Sequence, residues 1–209
     1  MSMKNGGNWS MGRPVLAGMI GLMLAIPAGA QFSDSYNFLK AVRDKDGEKV
    51  MQSLEGNKST LINTKDYTTG ESAIHIVTKR RDDQWMRFLL AKGANPDLRD
   101  AAGNSALMIA AQLGFLEGEA ALIESGANIN LSNASGETPI IAAVQHRDMA
   151  SVRLLLANGA DASIRDHLAG MSAKDYAERD TRAAAILKMI NDTPKPKPAV
   201  AKQVAGPGL

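Results

Sequence analysis

The chain has 209 residues, of which 44% are hydrophobic and 22% charged, and it has no cysteine. That length suits one elongated domain, and the missing cysteines exclude a disulfide framework and a thiolate metal site. The net charge of +2 resides at the ends: Lys4 and Arg13 near the start and Lys195, Lys197 and Lys202 near the finish leave the stretch between them at −3, so the overall charge makes no case for a nucleic-acid partner.

The first 30 residues form a distinct segment. Lys4 and Arg13 give a basic start with no acidic residue, and Val15 to Ile26 is an apolar run interrupted only by glycine. Pro27 then leads into Ala28-Gly29-Ala30, an A-x-A cleavage pattern. The apolar run is shorter than the roughly 20 residues a bilayer span needs. The segment reads as a secretory signal peptide, residues 1–30, cleaved after Ala30, with Ala28 and Ala30 as the small residues the peptidase selects. An uncleaved anchor is the rival reading. The expected location is periplasmic or secreted, with no membrane association once the signal is removed. A lipid-modified N-terminus is excluded because no cysteine lies near Ala30.

Next, Phe38 to Val42 and Val50 to Leu54 read as a pair of helices joined by a charged turn from Asp44 to Glu48. That turn resembles a fragment of a calcium loop, but it lacks the third Asp/Asn and the distal Glu, so a polar connection is expected. A small insertion near Ser59 and Thr60 follows.

Gly70, Gly103 and Gly136 are spaced 33 residues apart, and Gly93, Gly126 and Gly159 repeat the same step. After the first series the chain reads Glu71-Ser72-Ala73-Ile74-His75-Ile76-Val77, Asn104-Ser105-Ala106-Leu107-Met108-Ile109-Ala110 and Glu137-Thr138-Pro139-Ile140-Ile141-Ala142-Ala143. The second series gives Gly93-Ala94-Asn95, Gly126-Ala127-Asn128 and Gly159-Ala160-Asp161. The first series suits a tight turn before a helix, and Ser72, Ser105 and Thr138 are expected to cap that helix. Pro139 suits a first helical turn. Ala110 and Ala143 allow close helix approach. Val152, Leu155 and Leu156 fall on one face of a second helix, and the second glycine series fits the left-handed position after it.

Two motifs held in phase over three units resemble the ankyrin repeat, whose T-P-L-H-x-A element and 33-residue period they follow. The resemblance implies an all-α solenoid of about five stacked helix-turn-helix units with β-turn fingers, spanning residues 31–192. Clear repeats cover 67–99, 100–132 and 133–165, and divergent caps cover 35–66 and 166–191. In the last cap, Gly170 to Ala177 resembles a degraded first helix, and Ala183, Ile186, Leu187 and Ile190 mark a closing helix. Terminal units turn one face to water, which accounts for their polar departures. Residues 193–209, with Pro194-Lys195-Pro196-Lys197-Pro198, read as a disordered Lys/Pro-rich tail.

No catalytic constellation is legible. The Gly-x-Ser sequences at Ser72, Ser105 and Ser172 lack the second glycine of a nucleophile elbow. His75 occupies the repeat's own turn position, and His146 and His167 are scattered. No enzyme activity, cofactor or metal site is expected.

Partners of ankyrin-repeat proteins usually contact the finger tips and the exposed side of the first helices. Carried to this chain, the resemblance implies an unidentified protein partner met by Tyr67, Glu71, Lys79, Arg81, Arg99, Asn104, Gln112, Gln145, Arg147 and Arg165, with a monomeric stack as the carrier. The alternative within the binding class is a protective or inhibitory protein for an exported enzyme. Arg81 and Arg147 stand where the family commonly has glycine; they read as strained turns, as exposed cations for a partner, or as solvated rim charges. Trp85 is expected to pack over Gly118, the equivalent position one unit on; an exposed interface anchor is the rival reading. Glu119 and Arg153 are expected to be surface groups of the second helices.

Overall fold

The computed structural model describes residues 28–194. Among the described residues are ten α-helices and no strand beyond two isolated bridges, Lys65 with Ser72 and Arg165 with Ser172. The helices come as five helix-turn-helix pairs: α1 (Ala28–Asp44) with α2 (Gly47–Leu54), α3 (Ala73–Lys79) with α4 (Asp83–Ala91), α5 (Ala106–Leu113) with α6 (Leu116–Glu124), α7 (Pro139–Gln145) with α8 (Met149–Ala157), and α9 (Ala173–Arg179) with α10 (Ala184–Asp192). α1, α3, α5, α7 and α9 pack successively into one layer, and α4, α6, α8 and α10 into another. The chain is an all-α repeat solenoid, as its periodicity requires. The expected cleavage residues Ala28 and Ala30 lie in the first turn of α1. The rest of the signal segment, and the tail beyond Pro194, fall outside the described residues.

The first helices are short and apolar nearly all round because both flanks are covered by neighbouring units. Ala106 to Ala111 of α5 and Pro139 to Val144 of α7 are all buried. The second helices are amphipathic. In α8, Val152, Leu155 and Leu156 are buried while Arg153 is exposed, which is the helical phase expected. The first unit shows the expected helix pair, with Phe38, Leu39, Val42 and Val50 buried. Asp46 in its charged turn caps α2 by accepting from the Lys49 N–H at 3.1 Å. A 3-10 stretch, Gly56–Asn63, accommodates the insertion. At the far end Ala183, Ile186 and Ile190 close the core.

The fingers form a continuous ribbon. The amides of Ala101, Ala134 and His167 donate to the carbonyls of Thr69, Ala102 and Ser135 in the preceding finger, at 3.0, 3.2 and 2.8 Å. This contact explains the glycine of the turn. Gly103 has φ +80°, and a Cβ placed there would lie 2.7 Å from the Ala134 amide nitrogen. Backbone shape and the next finger both exclude a side chain. A second ladder follows the other motif: the amides of Asn95, Asn128 and Asp161 donate to the side-chain oxygens of Asn63, Asp97 and Asn130, each at 2.8 Å.

Three expectations are corrected. A Cβ on Gly118 would sit 2.3 Å from Phe115 Cδ1, so this glycine accommodates the Phe115 ring folded over the first turn of its own helix. The nearest atoms to that position belong to Phe115, not Trp85. Trp85 is partly buried, meets Phe88 edge-on at 5.7 Å, and lines a groove with Gly47 and Met51 of the preceding unit. Ser105 caps α5 by accepting from the Met108 N–H at 3.2 Å, but Thr138 makes no such bond, and its Oγ1 is buried without a partner. Glu119 is not a surface group. It is fully buried, because one step of about 100° past Gly118 turns it toward α8.

Candidate partner-binding face

The fingers and first helices form one edge of the stack, and their conformation is fixed by side chains bonding to nearby backbone. Asp66, Asp100, Asn133 and Asp166 recur at the finger base. Asp100 Oδ1 accepts from the amides of Ala102 and Asn104, both at 2.9 Å, and Asn133 Oδ1 accepts from those of Ser135 and Glu137 at 3.0 and 3.1 Å. Arg43, 2.9 Å from Asp66, and the Thr69 and Thr68 amides hold the Asp66 carboxyl down at about 2. Asp166 is buried, which opposes ionisation, yet bonds from the Tyr176 hydroxyl and the backbone keep its carboxyl below the usual range.

His75 belongs to this scaffold, as its motif position implies. Its Nδ1 lies 3.1 Å from the Ser72 amide and 2.8 Å from Ser72 Oγ, and its Nε2 lies 3.0 Å from the Asn104 carbonyl. These contacts assign a neutral ring with the proton on Nε2, donating across to the next finger. Burial pushes its pKa down, in agreement with that assignment.

The ten implied contact residues divide by what they already hold. Tyr67 stands at a finger tip with 94% of its surface exposed. Arg99 is exposed and Gln112 half-buried, and among the described residues neither side chain has a polar partner. Gln145 is exposed beside the Tyr176 hydroxyl. Lys79 is paired with Glu71 across its own unit. Asn104 is used within the ribbon, accepting from Asn133 Nδ2 at 3.1 Å. Arg165 pairs with Asp175 at 2.9 Å and donates to the Gly170 carbonyl at 2.6 Å.

Arg81 and Arg147 bear out one expected reading, the strained turn, and go beyond it. They do adopt left-handed backbone, φ +53° and +56°, as does Lys45 at +59°. Their cations, however, are directed along the stack. Lys45 meets Asp82 at 2.7 Å and Arg147 meets Asp180 at 2.8 Å, each aspartate being the cap residue that opens the next unit's second segment. The equivalent cap after Arg81 is Phe115, which has no carboxylate, and Arg81 donates instead to the Leu113 carbonyl. These residues join units to one another. The sequence lacked any signal for this, because the pairs form between residues one repeat apart. Leu168, 83% exposed in the last finger, is a candidate contact that the family pattern did not mark. Its signal was present as an apolar residue inside a polar turn.

Comparison with known families now bears on the chain. Residues 38–133 match the description Ankyrin repeats (3 copies), and residues 120–156 match Ankyrin repeats (many copies). With five helix pairs and the finger ribbon in place, the chain belongs to the ankyrin-repeat family. Ankyrin repeats are protein-interaction modules, which makes a protein the expected class of partner. Among the described residues no helix is long and apolar enough to cross a membrane.

Proposed function

We propose that this is an exported, monomeric protein-interaction module that binds its partner through the finger and first-helix edge. The observation carrying this reading is the outward edge itself. It presents Tyr67 and Arg99 on the finger ribbon, whose own hydrogen bonds are already satisfied, and Gln112 on the adjoining first helix, so binding requires little reordering. Tyr67 supplies an aromatic anchor and Arg99 a multidentate donor, the residue types that dominate interface energetics. Export rests on the basic start, short apolar run and A-x-A pattern of residues 1–30.

The test uses residues 31–209 as bait against the exported fraction of the native host. Tyr67→Ala with Arg99→Ala and Gln112→Ala strips the proposed edge. Met149→Ala with Arg153→Ala strips exposed groups of α8. The first set is expected to weaken a captured partner by about 1–2 kcal/mol or more, the second by less than about 0.5 kcal/mol. Loss through the second set alone would overturn the assigned edge. Intact mass of the native protein should match residues 31–209; a full-length mass in the membrane fraction would replace export with anchoring.

A further inference from the structure

The joint between the third and fourth units contains an arrangement unlike the others. Glu119 of α6 is fully buried, and its Oε1 lies 2.6 Å from Ser151 Oγ on α8. The same hydroxyl lies 2.9 Å from Oδ2 of Asp148, the residue capping α8. Two carboxyl groups therefore share one hydroxyl, which has one hydrogen to give. With both ionised, one short contact would set two acceptors against each other. With Glu119 protonated, every contact is satisfied: Glu119 donates to Ser151 Oγ, and Ser151 donates to Asp148 Oδ2. The other Glu119 oxygen, Oε2, has no hydrogen-bond partner, which is costly for a buried carboxylate and much less so for a neutral acid.

Among the described residues no cation pairs with this acidic group. At the first joint and at the last, Lys45 and Arg147 bring a positive charge to the capping aspartate of the next unit. The corresponding residue here is Gly114, and a Cβ there would sit 3.0 Å from Asp148 Oδ2, so the position brings no side chain to the carboxylate. The charged groups on the packed elements do not replace it. On α4, Arg87 pairs with Asp83 and with Glu124 of α6 on the outer surface. Glu117 of α6 and Arg153 of α8 are exposed, and α5 carries no titratable group. At the end of α7, His146 is exposed and Arg147 is committed to Asp180. Burial, opposed by the Ser151 bond and helped to a lesser degree by the Asp148 charge, pushes the Glu119 carboxyl up to about 7.

We propose that Glu119 is retained as a carboxylic acid and makes the α6–α8 joint proton-dependent: tight while the Glu119–Ser151–Asp148 relay is intact, and loosened when Glu119 ionises. The helices carry the fingers, so loosening this joint alters the spacing between the fingers based at Asp100 and Asn133. The device acts on the shape of the stack and does not depend on the identity of a partner.

The sign follows from linkage. An acid that keeps its proton in the folded state contributes stability fully present below its unfolded pKa, here 4.5, and lost as pH rises to about 7. Comparing the full chain with Glu119→Gln, which retains a donor of the same shape, cancels the contribution of His75 and the aspartates. The ratio of unfolding constants, wild type over variant, is expected to rise about a hundredfold between about pH 4.5 and pH 8. A ratio unchanged within about threefold would overturn the proposal. Hydrogen exchange localises the effect: on raising the pH, wild type should lose protection relative to the variant in α6 and α8 but not in α1 and α2, and a uniform loss would refute a local joint. A measurement needing no variant is carboxyl carbon NMR of glutamate-labelled wild type. One resonance with a midpoint near 7 is expected, and midpoints all below about 5.5 would overturn the proposal.

Discussion

Leu155 shows how one residue holds two units together. It is fully buried in α8, and α8 packs on α6, α7 and α10, so its side chain contributes to more than one interface. Leu155→Ala is expected to cost about 2–5 kcal/mol, the range for a core leucine whose cavity cannot fully collapse. Equilibrium denaturation measures it, and a cost below about 0.5 kcal/mol would place Leu155 at the surface. Phe115 and Gly118 show the complementary case. The ring occupies the space a Cβ would take, so Gly118 is fixed by one neighbour and not by helix preference, which disfavours glycine by about 0.8–1 kcal/mol relative to alanine.

At the scale of elements, the turn between the two helices of a unit is set by a left-handed residue. Gly114 adopts φ +60° as glycine readily does, whereas Arg147 adopts +56° with a side chain attached. The arginine persists there because its guanidinium reaches Asp180 in the next unit and holds that carboxyl well below the usual carboxylate range. Two substitutions separate the contributions. Arg147→Ala loses the ion pair and keeps the unfavourable backbone; Arg147→Gly loses the pair and relieves the backbone. Arg147→Gly is therefore expected to be more stable than Arg147→Ala by about 1 kcal/mol, read from denaturation midpoints. Equal stability of the two variants would show that the turn is not strained. Arg81 lends itself to the same comparison.

At the scale of the whole stack, ionisable groups act on stability in opposite directions. Asp66 has a lowered carboxyl pKa, as do Asp46, Asp82, Asp166, Asp175 and Asp180. Groups of this kind add stability that is present above their unfolded value of 3.8 and lost as pH falls through the folded value, about 2 for Asp66. His75 is buried neutral, so its contribution is present above 6.5 and is lost as pH falls below that value and the unfolded chain takes up a proton. Glu119 works the other way, losing stability as pH rises from 4.5 to about 7. The last two oppose each other where both titrate. Thermal unfolding midpoints are therefore expected to form a plateau over about pH 5–7 and to fall steeply below about pH 4. A midpoint that stays constant down to about pH 2 would contradict the role given to the aspartates.

The sequence alone determined the architecture and the helix-turn-helix units. A repeat is a local device: the turn glycines, Ser105 as a cap and the apolar spacing of Val152, Leu155 and Leu156 all obey rules that act within a few residues. Recurrence then strengthens each signal. The contact candidates Tyr67 and Arg99 came from the resemblance to ankyrin repeats, whose partners usually meet the fingers, and not from any local rule. What only the tertiary structure decided is what each side chain meets across a joint. Arg147 reaches an aspartate 33 residues away, and Glu119 meets a serine 32 residues away. Trp85 lines a groove with residues of the preceding unit. Neighbouring positions on a helix differ by about 100° of rotation. Whether a polar residue such as Glu119 faces water or the next unit therefore depends on how each helix is rotated by its packing, and sequence period does not encode that rotation.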